Sequence, residues 1–347
     1  MEMKRLARLA RGIIIFFLPV FTVILAASTL AFFATFSATQ VEASVFTTEE
    51  GAGTAEQASA GIGNVLLFLI PAIIGSFGIL AIIKMGKKGM LKKIFRGALS
   101  FAGGVILAFF LFKYNEIFYE RVWFALYVTW PVEFVMYTIP DLYAWGPFLS
   151  FIIGGLLFGY FTTSMILSRG FTRKERNYAL ICISALMGAF MAVILSTITV
   201  LLLLIGLAIW DIYAVFKGPI KEMVELDARG QLLVSLDPLG DDSNDFPFDH
   251  LTYDAGAWQL GIGDLVFYSV LGAHSIYYAA DYIRTEGWWM LPFFFLPVLI
   301  AILAGFAYTI YRLTRAKGNS ILPGLPIPMF LGVGIFVVMM LIARFAF

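Results

Sequence analysis

Long apolar runs separated by short polar segments occupy most of this 347-residue chain. A helix needs about 20 apolar residues to cross a bilayer, and nine runs approach or exceed that length. They lie at 13–37, 60–83, 97–113, 145–168, 178–195, 197–216, 258–280, 289–311 and 324–346. The pattern predicts an all-α polytopic membrane protein with nine transmembrane helices. The composition agrees, because 61% hydrophobic and 14% charged residues exclude a soluble globular domain.

The first apolar run follows MEMKRLARLARG, a basic segment that resembles the front of a secretory signal peptide. At about 25 residues, the run is longer than the 7–15 residues of a signal-peptide core. We therefore expect an uncleaved anchor, with a cleaved signal as the alternative.

The basic residues are concentrated in alternate connecting segments. With nine spans and a cytoplasmic N-terminus, 20 of the 24 lysines and arginines fall on the cytoplasmic side. Cytoplasmic loops carry an excess of these residues, so the distribution favours this orientation. A tenth span at 122–139 would invert every later loop, and Pro131 and Glu133 interrupt it. Nine spans are therefore preferred.

The longest cytoplasmic segment divides the chain into parts. Residues 1–216 form a six-span N-terminal part, residues 217–257 a cytoplasmic loop, and residues 258–347 a three-span C-terminal part. The second half of the loop contains the acidic stretch DPLGDDSNDFPFDH, whose composition is typical of weak order or disorder. We find no convincing internal repeat.

Few side chains offer other chemistry. The net charge of +1 gives no reason to expect a nucleic-acid partner. The one cysteine, Cys182, and the two histidines, His250 and His274, lack the spacing of a zinc site. His274 lies in an apolar run, where we expect a packed histidine with satisfied hydrogen bonds. We expect neither a metal nor an organic cofactor.

Two carboxylates stand alone in long apolar runs. Asp211 lies in GLAIWDIYAV and Asp264 in QLGIGDLVFYSVL. An acid inside a membrane span is costly and by default marks a functional site with a partner. At 1.5 Å per residue, counting from the cytoplasmic ends places both acids at a depth of roughly 9–10 Å on antiparallel spans. We therefore expect the two acids to meet.

The chemistry of such a pair suits hydrolysis. Two adjacent carboxylates in a medium of low dielectric constant cannot both ionise easily, so one keeps a proton while the other is charged. The pair can then act as acid and base in the attack of water on a peptide carbonyl. Gly261 and Gly263, next to Asp264, are expected to allow close backbone approach. An ion channel or transporter could use the same pair, and the acids alone do not decide between these classes.

The segments around the acids resemble the presenilin and signal peptide peptidase family, the GxGD intramembrane aspartyl proteases. LGIGDLVFYSVL resembles the Gly-x-Gly-Asp segment, WDIYAVFKGPIKEMVE the segment of the first catalytic Asp, and NYALICISALMG the preceding span. LPGLPIP resembles the Pro-Ala-Leu motif near the last span. Trp210 stands where the family usually has Tyr, and Gly324 where it has Ala.

The resemblance implies a nine-span presenilin-like fold, similar to a minimal archaeal-type homologue, and an aspartic endopeptidase that needs no cofactor. Asp211 and Asp264 would take the catalytic roles, with Gly261 and Gly263 as the motif glycines. The implied partners are transmembrane protein substrates and membrane lipid, and a homo-oligomer is left open. The protein would be a multi-pass integral membrane protein, of the cell membrane if prokaryotic. Prepilin peptidases also use a GxGD acid, but they lack the LPGLP and WDIYAVFKGP segments.

The resemblance also assigns substrate contact to Pro323, Gly324, Leu325 and Pro326, which align with the Pro-Ala-Leu-Pro run. Prolines at this spacing oppose a regular helix. We therefore expect LPGLPIP to enter the last span as an extended stretch that faces the acids. The alternative is a helix N-terminus with prolines in its first turn, where they are tolerated.

The orientation can be tested at Ser243, in the predicted cytoplasmic loop. In a Cys182→Ala background, Ser243→Cys should react with a membrane-impermeant maleimide in inside-out vesicles and not in intact cells. Labelling only from outside would contradict the orientation and would support a tenth span or a cleaved signal.

Overall fold

The computed structural model describes residues 2–35, 54–85, 88–118, 152–167, 170–228, 252–254, 259–315 and 323–346. Its helices are α1 (Glu2–Ala34), α2 (Thr54–Lys84), α3 (Lys88–Phe118), α4 (Ile152–Leu167), α5 (Arg173–Ile194), α6 (Thr197–Phe216), α7 (Pro219–Ala228), α8 (Ile262–Glu286), α9 (Met290–Arg315) and α10 (Pro326–Ala346). Two short strands, β1 (Thr252–Asp254) and β2 (Gln259–Gly261), pair antiparallel. The segment 122–139 and the acidic stretch of the cytoplasmic loop lie outside the described residues.

Seven helical segments of the described part are long and apolar enough to cross a membrane. They are Phe17–Ala34, Ser59–Lys84, Gly89–Tyr114, Arg173–Ile194, Thr197–Met223, Met290–Arg312 and Pro326–Ala346. Large apolar side chains are exposed along them, such as Ile74 and Ile300 at 65% and 64%. Lipid tails can cover such a surface, whereas water would disfavour it. The chain is therefore an all-α polytopic membrane protein.

The count of nine spans stays a prediction. The predicted run 145–168 contains α4, a shorter apolar helix of Ile152–Leu167. The predicted run 258–280 overlaps α8, which has 25 residues but is not apolar enough to be among the candidate spans. The other seven runs each coincide with a candidate span.

The lower hydrophobicity of α8 follows from its central position. It packs against α1, α5 and α9, so protein surrounds much of its surface. Three of its polar residues, Ser269, His274 and Ser275, are completely or almost completely buried. A polar side chain is stable there because neighbouring helices supply hydrogen-bond partners that lipid lacks.

His274 connects α8 to the turn between α5 and α6. Its Nδ1 lies 2.8 Å from the Ala192 carbonyl oxygen, and its Nε2 lies 3.1 Å from the Thr197 hydroxyl. A carbonyl only accepts, so Nδ1 carries a proton and, in the neutral ring, Nε2 accepts from Thr197. Ala192 is near the end of α5 and Thr197 begins α6, which Ser196 caps. The prediction of a packed, satisfied histidine is confirmed.

The chain turns sharply between α6 and α7, at Gly218. A Cβ at this residue would lie 2.7 Å from the Ala214 Cα, so the turn requires glycine. Pro219 then begins α7, where a proline is well tolerated. Glu222 of α7 pairs with Lys84 of α2 at 2.5 Å, and both side chains are about half exposed. A pair this exposed adds little stability, so the backbone contact at Gly218 is the stronger constraint.

Helices α9 and α10 touch through their backbones at Gly305. A Cβ there would lie 2.5 Å from the Pro328 Cα and 2.8 Å from its nitrogen. No rotamer change can relieve a contact with backbone atoms, so a larger residue would push the helices apart. This contact fixes where the first turn of α10 lies.

Gly305→Ala should therefore destabilise the protein by about 1–3 kcal/mol, the usual range for overpacking. Thermal unfolding in detergent micelles would measure the change. The matched control is Gly78→Ala in α2, since nothing lies within 4 Å of a Cβ at that position. Both substitutions gain the same helix propensity, so equal stability of the two variants would contradict the close contact.

Candidate active site

Asp211 is a half-buried residue in the last turns of α6. Its Oδ2 accepts a hydrogen bond from the Leu325 amide at 3.1 Å. The Gly324 amide is a second backbone donor to the same carboxylate. A side chain 114 positions earlier in the chain is thus bound by the segment that precedes α10.

Asp264 lies in the first turn of α8. Gly261 is the N-cap of this helix, so Asp264 is its third residue, and its carboxylate accepts from the Gly261 amide. This is the reverse half of a capping box, in which the N3 side chain binds the N-cap amide. The positive end of the helix dipole also stabilises negative charge there. Gly261 ends β2 and is paired with Thr252 of β1, which fixes how the chain enters α8.

The two acids converge on the peptide between Gly324 and Leu325. A Cβ at Gly324 would lie 2.6 Å from Asp264 Oδ2, while Asp211 binds the next amide. Standard bond lengths separate a Cβ from the next nitrogen by about 3 Å, so the two carboxylates lie within roughly 9 Å of each other. They are close enough to interact electrostatically. The structure thus brings together the two acids that the sequence analysis paired.

The close approach expected at the motif glycines occurs at a different residue. A Cβ at Gly261 would make only an ordinary contact, 3.7 Å from Asp264 Oδ2, and one at Gly263 would lie 3.9 Å from Phe267. Among the described residues, neither position excludes a side chain. At Gly324, a side chain would displace the Asp264 carboxylate. A side chain at 324 would therefore require the Asp264 carboxylate to shift, whereas one at 261 or 263 would not.

The segment at the start of the last span is non-helical over a shorter stretch than expected. Pro323, Gly324 and Leu325 precede the helix, and α10 begins at Pro326. The Leu325 carbonyl accepts the first helical hydrogen bond, from the Met329 amide at 3.0 Å. Residues 323–325 are thus non-helical, with a bend at Gly324 and Leu325, and the expectation of an extended stretch through 328 is wrong. Prolines 326 and 328 occupy the first turn, as the alternative interpretation held.

Tyr268 is a third polar residue of the site, and sequence reasoning missed it. Its hydroxyl donates to the Gly324 carbonyl oxygen at 2.9 Å, and its side chain is fully buried. It lies four residues after Asp264, so both project from the same face of α8. That spacing was the available signal, but in GDLVFYSVL the tyrosine looks like one more aromatic residue of an apolar run.

Trp210, the residue before Asp211, points to the neighbouring helix α2. Its ring lies 6.1 Å from that of Phe77 and 5.4 Å from that of Tyr213. These contacts belong to the packing of α6 on α2. The residue that departs from the family pattern thus packs beside the site, and the Asp211 carboxylate is bound by other residues.

The arrangement can perform acid–base chemistry on a polar bond within an apolar scaffold. It has two carboxylates, backbone amides directed at each, and one tyrosine hydroxyl. In the described part of the chain, no group of three or more His, Cys, Asp or Glu side chains could hold a metal. The two carboxylates and the backbone amides directed at them are the candidate reactive groups and their donors.

Comparisons with known proteins give a structural likeness and no sequence match. No family model and no curated protein matches the sequence. Among solved structures, the chain is similar to a presenilin family intramembrane aspartate protease, with a TM-score of 0.48 and 16% identity. The match covers 93% of this chain and 99% of that one. A likeness at this level assigns neither a family nor an activity to the chain.

Proposed function

We propose that this protein is an intramembrane aspartyl protease that hydrolyses peptide bonds of transmembrane substrates. Asp211 and Asp264 form its catalytic dyad, and a water molecule is the nucleophile. One observation carries the proposal: two acids from separate helices are directed at a single peptide unit inside an apolar helical scaffold. Placing two acids in apolar surroundings costs free energy, so they are expected to serve a function. Binding a peptide between them is such a function.

In the proposed reaction, the charged carboxylate removes a proton from water as the oxygen attacks the substrate carbonyl carbon. The protonated carboxyl group donates its proton to the carbonyl oxygen, which gives a neutral gem-diol. The C–N bond then breaks as the gem-diol returns a proton to one carboxylate and the amine nitrogen accepts one from the pair. Each cycle consumes one water and leaves one proton shared by the two carboxylates. Because the two groups are coupled, the apparent pKa values of a pH profile belong to the dyad and not to either residue.

The substrate-binding residues are proposed to be Gly261, Gly263, Pro323, Gly324, Leu325 and Pro326. Strand β2 ends at Gly261 and the non-helical residues 323–325 lie against the acids, so both segments offer unwound backbone next to the dyad. A substrate helix must unwind before hydrolysis, and an extended chain can pair with such backbone by strand addition. Irregular backbone at membrane depth is tolerated when it is buried in protein or lines a cavity.

The dyad can be tested with purified protein in proteoliposomes and a fluorescent transmembrane reporter peptide. Asp211→Asn and Asp264→Asn should each lower the cleavage rate on the order of a thousandfold or more, and the double variant should be no worse, because residues that act as a unit are non-additive. The wild-type pH profile should be bell-shaped.

The matched control is Asp281→Asn, which removes an exposed carboxylate near the other end of α8. It should cleave like the wild type. Near-normal cleavage by either dyad variant would contradict the mechanism. Wild-type protein that moves ions across the vesicle membrane and cleaves nothing would support the channel or transporter alternative.

A second prediction concerns the space beside Asp264. Gly324→Val should reduce cleavage at least about tenfold with the fold retained, because its Cβ would lie only 2.6 Å from Asp264 Oδ2 and displace the carboxylate. Gly334→Val, in the helix α10 that follows, is the control, since nothing lies within 4 Å of a Cβ there. Equal cleavage rates in the two variants would show that the Asp264 carboxylate tolerates displacement.

A further inference from the structure

We propose that Tyr268 is a positioning residue that holds the Gly324–Leu325 peptide against Asp211. The inference rests on the proposed function for its catalytic consequence, and on the structure alone for the contact. Tyr268 donates to the Gly324 carbonyl oxygen at 2.9 Å, and the Leu325 amide donates to Asp211 at 3.1 Å.

The two hydrogen bonds belong to one peptide unit. The carbonyl of Gly324 and the amide of Leu325 share a planar group that does not twist easily. Fixing the oxygen therefore fixes the direction of the N–H. The Tyr268 hydroxyl and the Asp211 carboxylate bind opposite edges of that plane, so a change at one edge is transmitted to the other.

Tyr268 is itself firmly held. Its side chain has no exposed surface, and its ring packs edge-on against Phe306 of α9 with the centroids 6.0 Å apart. Phe17 of α1 packs edge-on against the same Phe306 ring at 5.9 Å. A buried ring between neighbouring helices has few alternative rotamers, so its hydroxyl is a fixed donor.

The position of Tyr268 on α8 gives this contact its importance. The same helix carries Asp264, one turn earlier. Helix α8 therefore supplies one acid, and it also supplies the hydroxyl that holds the peptide to which the other acid, Asp211, is bound. Tyr268 also lies close enough to both carboxylates to interact with them electrostatically. The relative placement of Asp211 and Asp264 therefore depends on this hydroxyl through the Gly324–Leu325 peptide.

Removal of the hydroxyl should release the carbonyl and leave the ring packing intact. The peptide can then rotate, and Asp211 loses a donor that both orients it and favours its charged form. We expect Tyr268→Phe to lower kcat about tenfold, the effect of one lost hydrogen bond, with KM nearly unchanged. The acid limb of the pH profile should move to higher pH, because a carboxylate without its N–H donor is protonated more readily.

The experiment compares wild type, Tyr268→Phe and Tyr278→Phe. Tyr278 is on the same helix, and its hydroxyl lies 3.2 Å from that of Tyr282. Cleavage of the reporter peptide gives kcat, KM and the pH profile. Hydrogen–deuterium exchange of a peptide that spans 323–328 gives a readout that does not need activity. Because prolines have no amide, only Gly324, Leu325 and Ile327 report, and exchange should be faster in Tyr268→Phe alone.

The outcomes separate the inference from the function on which it rests. A lower kcat, a shifted profile and faster exchange, all confined to Tyr268→Phe, support the inference. Cleavage and exchange equal to wild type overturn it and leave the protease proposal standing. Faster exchange with unchanged kcat and pH profile also overturns it, since Tyr268 would then be a structural tether. If wild type cleaves nothing, the proposed function and the catalytic part of the inference both fail, and faster exchange supports only the peptide-holding contact.

Discussion

The peptide between Gly324 and Leu325 is contacted by polar side chains from two other helices, α6 and α8. Its amide is bound by Asp211 from α6, its carbonyl by Tyr268 from α8, and the Cα of Gly324 faces Asp264. In an apolar surrounding, an unpaired amide or carbonyl costs free energy, so these contacts constrain all three segments together. The relative positions of α6, α8 and α10 at this end of the bundle follow from this one peptide.

The packing of the helices supports that constraint from both sides. Gly305 lets α9 touch the first turn of α10, and His274 binds the turn between α5 and α6 from α8. The first contact limits where the peptide can lie, and the second limits how α8 and α6 can slide past each other. Polar and small residues are the means by which helices associate in lipid, where burial of apolar surface gives no driving force.

Some of the site could be predicted from the sequence, and the reason is energetic. A lone acid in an apolar run is costly enough to be visible, so Asp211 and Asp264 stood out, and their depth could be counted. Tyr268 could not be found this way, since a tyrosine in an apolar run is ordinary until its hydroxyl partner is known. The close approach of Gly324 to Asp264 was equally hidden, because it depends on a carboxylate 60 positions away in the chain. The lower hydrophobicity of α8 likewise reflects its neighbours, which a count of apolar residues does not register.

The prolines of the last span help to explain how charge is tolerated here. The first turn of a helix leaves amide hydrogens without partners in the helix. Pro326 and Pro328 have no amide hydrogen, and the Leu325 amide is bound by Asp211. Ile327 therefore carries the one remaining amide of this turn. Helices α8 and α10 both direct their positive ends toward the acids, which favours negative charge. The proximity of the two carboxylates opposes a second negative charge. A single charge on the pair, the state that the proposed hydrolysis needs at its start, would balance these opposing effects.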